Sequence, residues 1–271
     1  MPETPGYFRA ADGTPLYGVY HEPERAARLA VVIAPALFEE RKSAYAVLAQ
    51  LARELVQHGH PVFRFDYRGS GESGGASAQR RWSDLAGDLA AAQAALLKLS
   101  GQERAACVGL RLGATLALQS AAELKSRAVV ALAPVAQGAA QARLWRMRSK
   151  IRSELTAGEG PAQDAPAPSE KGVVDLDGFA VGAAFLEDIA ARDLLKQPGA
   201  LDLPTLLVQI SHRTDASPES EKLQVSLGPR CALACFRLEP FWDRVDEVDP
   251  AEVIRKVVTF LGELSSGTTK H

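Results

Sequence analysis

Cys107-Val-Gly-Leu-Arg-Leu-Gly-Ala-Thr-Leu-Ala-Leu118 decides the fold of this chain. An apolar run enters at Ala105, turns through Gly109-Leu-Arg-Leu-Gly113 and passes straight into an apolar helical pattern. A strand, a turn with two glycines and an immediate helix make a tight elbow, whose crowded backbone lifts residue 111 to the top of a sheet. That residue is Arg111. The same strand-helix unit recurs outward from it. Leu29-Ala-Val-Val-Ile-Ala34 predicts a strand covered on both faces, and Tyr45, Leu48, Leu51 and Leu55 follow at helical spacing. Further strands are expected over 61–66, 105–109, 129–133, 203–210 and 231–236, with helices over 82–99, 112–122, 219–225 and 250–264. A hairpin around Asp12-Gly13, pairing 7–9 with 16–20, opens the chain. Alternating strands and helices predict an α/β fold with a mostly parallel sheet, helices on both faces and a site at the carboxyl ends of the strands.

Residues 139–199 break this rhythm and include a Gly-, Pro- and Ala-rich stretch over 156–169. They read as a lid inserted into a core formed by 1–138 and 200–271. The first helix of the insertion carries Arg143, Arg146, Arg148, Lys150 and Arg152. Its plain reading is a solvated face; the sharper one is a surface that attracts acidic ligands or partners.

With 271 residues, 46% hydrophobic and 24% charged, the chain can bury a core without metal or disulfide staples. A net charge of −2 gives no reason to expect nucleic acid as partner. Cys107, Cys231 and Cys235 have no metal-ligand spacing, and no metal or cofactor is expected. The odd count fits a reducing compartment, so a cytoplasmic protein without signal peptide, anchor or membrane span is expected.

The segment Phe63-Arg-Phe-Asp-Tyr-Arg-Gly-Ser-Gly-Glu-Ser-Gly-Gly75 matches two motifs by letter. Gly69, Gly71 and Gly74 mimic a dinucleotide fingerprint, and Gly71-Glu-Ser-Gly-Gly75 mimics a serine elbow. Neither setting is right, because the next convincing helix begins near Trp82 rather than at the turn. A Gly-rich connection is the simpler reading.

These features together resemble the α/β-hydrolases, in particular the serine aminopeptidase-like and exosortase-associated hydrolase branches, along almost the whole chain. The resemblance rests on Pro35-Ala-Leu-Phe-Glu-Glu-Arg41, on Asp66-Tyr-Arg-Gly-Ser-Gly-Glu-Ser73, on the Gly-x-x-x-Gly elbow and on Leu203-Pro-Thr-Leu-Leu-Val208 leading to Asp215. It implies a helical lid, an oxyanion loop after the first buried strand, and the triad acid at Asp215. It also implies a serine where Arg111 stands and a histidine where Leu238-Glu-Pro-Phe-Trp242 has Pro240. An arginine stays protonated and has no lone pair with which to attack a carbonyl, so serine-type acyl transfer lacks both nucleophile and base. Losing one triad member alone costs about 10⁴ to 10⁶ in rate. His212, His58 and His60 do not supply the missing nucleophile, and Cys107 lies inside the strand.

Two arrangements of Arg111 are open. In one, Arg111, the N–H of Leu112 and the N–H of Leu37 converge on an anionic or acyl-bearing small ligand. In the other, Arg111 pairs internally with Glu39, Glu40 or Asp215. The leading functional expectation is a pseudoenzyme that binds an acidic small molecule or a protein partner at the former active site. The alternative is an active hydrolase of esters, thioesters or amides with another nucleophile, Ser73 or Ser70.

Overall fold

The computed structural model describes residues 2–25, 27–156, 172–197, 199–243 and 248–265. Its centre is an eight-stranded sheet. In chain order the strands are β1 (Glu3–Arg9), β2 (Pro15–His21), β3 (Ala30–Ala34), β4 (Val62–Phe65), β5 (Ala105–Leu110), β6 (Val129–Leu132), β9 (Thr205–Ser211) and β10 (Cys231–Arg237). They lie side by side as β1-β2-β4-β3-β5-β6-β9-β10. β1 and β2 run antiparallel and join β4 antiparallel; every other pairing is parallel. The expected hairpin forms, with Gly13 at φ 85° and the Asp12 carboxylate accepting from the Thr14 N–H.

The apolar runs are strands because both faces of the sheet are covered. Val31 and Ile33 of β3 and Val108 and Leu110 of β5 join one core with α1 (Phe38–Gln57) and α7 (Ala251–Ser265). Ala30, Val32 and Ala34, with Ala105 and Cys107, enter the opposite core with α2 (Trp82–Ser100), α3 (Leu112–Ser120) and α6 (Pro218–Leu227). Alternate residues serve alternate faces, as the period of a strand requires. Tyr45 departs from its expected place in the buried stripe of α1. It is 50% exposed and lies under the Arg64 guanidinium.

Between β6 and β9 the chain leaves the sheet as α4 (Gly138–Thr156), the hairpin β7 (Val173–Leu176) and β8 (Phe179–Gly182), and α5 (Ala183–Ala190). This insertion packs on the core: Trp145 and Phe185 meet the Phe38 ring edge-on, and Arg81 holds Asp188. Arg143 and Arg146 are exposed, as a solvated face requires, while Arg148 reaches Asp243 at 3.3 Å. Most of the expected 156–169 loop lies outside the described residues. No helix among the described residues is long and apolar enough to cross a membrane.

Candidate functional site at the elbow

The junction of β5 and α3 has the shape its glycines require. A Cβ on Gly113 would come within 2.3 Å of the carbonyl oxygens of both Ala34 and Pro35, and one on Gly109 within 2.4 Å of Ala114 Cα. Between them Arg111 adopts φ 56° and ψ −120°, a conformation that costs a side-chain-bearing residue about 1–3 kcal/mol. The surrounding packing holds that strain and presents the side chain at the carboxyl end of the sheet.

The Arg111 guanidinium is held by four separate parts of the chain. Its Nε donates to Glu40 Oε1 at 3.3 Å, Nη1 to the Ala133 carbonyl at 3.0 Å and Nη2 to Gln141 Oε1 at 3.0 Å. Its plane lies over the Trp242 ring, 5.0 Å from the centroid. Of the carboxylates named from the sequence, Glu40 is the one that pairs with Arg111 in this structure. Glu39 is exposed and pairs instead with Lys42 at 3.3 Å.

Glu40 is 5% exposed. Burial pushes its carboxyl up from the usual value, and the Arg111 charge opposes that push. Its second oxygen, Oε2, is buried and has no hydrogen-bond partner. Glu40 lines a small cavity of about 80 Å³ together with Leu37, Trp145, Arg148, Trp242 and Asp243. Leu37 precedes α1 and Leu112 opens α3; both are buried, and neither N–H donates to a described residue.

The other positions that the resemblance implies, Asp215 and Pro240, have no hydrogen bond or ion pair to Arg111 among the described residues. Asp215 is exposed on the loop after β9, its carboxylate without a hydrogen bond or ion pair among the described residues. His212 turns to Glu239, 3.2 Å away. Pro240 starts a turn closed by the Asp243 N–H, which seats Phe241 and Trp242 in the core. His60 binds the Leu29 carbonyl at the opposite, amino end of β3. Burial pushes the Cys107 thiol up to about 12, which leaves it inert.

Ser70 and Ser73 both hold contacts within the chain. The Ser73 hydroxyl donates to the Asp66 carbonyl at 2.6 Å and accepts from the Tyr17 N–H at 2.8 Å. Ser70 accepts from Arg80 at 3.0 Å. Gln141 was not singled out from sequence, although a signal existed: it sits one helical turn before Trp145 on the buried side of α4, a polar residue where an apolar one would suffice.

A model of the family described as serine aminopeptidase, S33, matches residues 25–165. Among solved structures, an esterase of Pyrococcus furiosus is similar at 18% identity, covering 97% of this chain and 92% of its own, with a TM-score of 0.69. The esterase domain of a Rhodothermus marinus protein is similar at 21% identity, covering 97% and 99%, with a TM-score of 0.65. Mouse alpha/beta hydrolase domain-containing protein 10 is similar at 15% identity, covering 97% and 100%, with a TM-score of 0.60. No curated protein sequence matches.

Proposed function

The chain belongs to that serine aminopeptidase family of α/β-hydrolases, and on that premise we propose that it is a member that binds at its elbow and does not hydrolyse there. The observation that carries this reading is the Arg111 guanidinium standing at the expected nucleophile position with each of its three nitrogens donating a hydrogen bond within the chain. Acyl transfer needs an attacking oxygen with a base within hydrogen-bond reach, and neither Ser70 nor Ser73 has such a base beside it.

The internal pair also changes the ligand. An acidic head group would have to displace Glu40 from Arg111 and enter a cavity that Glu40 and Asp243 line. The unpartnered Glu40 Oε2 and the Leu37 N–H instead complement a small neutral group with one donor and one acceptor, such as the carboxamide of a ligand or of a partner's side chain. The insertion that supplies Gln141 and Trp145 serves as the lid over this cavity.

Incubation with short-chain nitrophenyl esters and thioesters tests the reading. No turnover above buffer is expected, for the native chain or for Arg111→Ser, which restores a hydroxyl without a base. Turnover retained in Arg111→Ala and abolished in Asp215→Ala would establish a working hydrolase instead.

A further inference from the structure

A larger cleft lies away from the elbow, on the α1 face of the sheet. Its volume is about 580 Å³, within the range of roughly 300–1,000 Å³ that small-molecule sites occupy. Its apolar lining comes from Val19 on β2, Ile33 and Pro35 at the end of β3, and Leu48 on α1. None of the four groups that hold Arg111 lines it.

Three cations line this cleft, and charge accounting separates them. Arg41 is neutralised by Asp66, to which it donates from Nε at 3.2 Å and from Nη2. Lys42 is paired with Glu39. Arg64 has no carboxylate within ion-pair distance among the described residues. Its Nε donates to His21 Nε2 at 3.0 Å, and burial together with the Arg64 charge keeps that imidazole neutral, so the contact cancels no charge. Glu3, on the far side of His21, is taken by Arg53 at 2.7 Å. The two terminal nitrogens of Arg64 therefore have no acceptor among the described residues. The guanidinium is nevertheless fixed in place, over the Tyr45 ring at 5.2 Å from the centroid.

We propose that this cleft is a second ligand site, for an amphipathic carboxylate whose head takes the open fork of Arg64 and whose apolar body lies along Val19, Ile33 and Leu48. A planar fork matches a carboxylate edge to edge. Arg64 offers one open fork for a singly charged head; a phosphate monoester carries nearly two charges, and the exposed Glu72 in the same lining, which has no ion pair among the described residues, opposes the second. The tyrosine face holds the guanidinium from behind, so little side-chain entropy is lost when the head docks. This site does not depend on the reading of the elbow.

Calorimetric titration of the full chain with octanoate, octyl phosphate and octanol tests the proposal. Octanoate is expected to bind one per chain, with octyl phosphate and octanol each about tenfold weaker or more. Arg64→Gln is expected to weaken octanoate by about tenfold, roughly the loss of one charge-assisted contact. Because Arg64 lies in a strand, Tyr45→Ala on the exposed side of α1 gives an independent reading: a loss of about threefold or more is expected, with Tyr45→Phe unchanged. Octanoate that binds Arg64→Gln and Tyr45→Ala as it binds the native chain, or that does not bind at all, would overturn the proposal. Octyl phosphate binding more tightly than octanoate would overturn the choice of head group.

Discussion

Arg111 and Glu40 carry the chemistry of the elbow between them, and each depends on the other. Removing the arginine leaves a carboxyl that is 5% exposed with neither oxygen compensated. Arg111→Ala is therefore expected to destabilise the fold by about 2–4 kcal/mol in urea unfolding, somewhat below the cost of breaking a fully buried pair because Arg111 retains some exposure. The sign with pH follows from Glu40. Its folded pKa already lies above the usual carboxylate value and rises further without its cation, so the native state holds a proton that the unfolded chain releases. Stability of the variant should fall as pH rises past the usual carboxylate range, making its deficit larger at about pH 8 than at about pH 5. Replacing both residues with Met and Leu of similar bulk should recover most of the loss. At this scale the sequence named the pair only as one of several. Glu40 was legible as a candidate because it opens a helix beside the elbow, whereas Gln141 and Trp242 come to Arg111 from regions about 30 and 130 positions away, a proximity that no local pattern records.

The elements were the most legible part of the chain, because buried strands and amphipathic helices carry their periods in the order of residues. The β5–α3 junction is the clearest case: two glycines with no room for a Cβ can be read directly as a tight turn. Gly113→Ala is expected to cost about 3 kcal/mol or more, since two backbone carbonyls would have to move. Gly87, in the middle of α2 with nothing within 4 Å of its would-be Cβ, should respond in the opposite sense, with Gly87→Ala stabilising by about 0.5–1 kcal/mol. Thermal unfolding of the two variants side by side measures the contrast. What element-scale patterning misread was Tyr45. Helical spacing placed it in the core, but the stripe is broad enough for a boundary residue to face a cleft, and the ring serves Arg64 instead.

For the whole molecule, the sheet order and the insertion before β9 place the chain among α/β-hydrolases, with Arg111 at the turn between β5 and α3. The global charge balance is modest, so acid sensitivity should come from particular buried groups. His21, 2% exposed beside Arg64, is pushed down to about 4. Its folded pKa lies below the unfolded value near 6.5, so its contribution is complete above that value and is lost as pH falls toward 4. Between about pH 7 and about pH 4.5 this group alone should remove about 2–3 kcal/mol, read as a lowered urea midpoint, and His21→Gln should flatten that dependence.

The central claim, that no activated nucleophile stands at the elbow, is tested most directly by a fluorophosphonate probe, which bonds covalently to activated serines of this fold. Intact-mass spectrometry after prolonged incubation of the full chain is expected to show no adduct above that of a heat-denatured control. A stoichiometric adduct mapped to a serine, lost on denaturation before labelling, would contradict the account and return this chain to the working hydrolases.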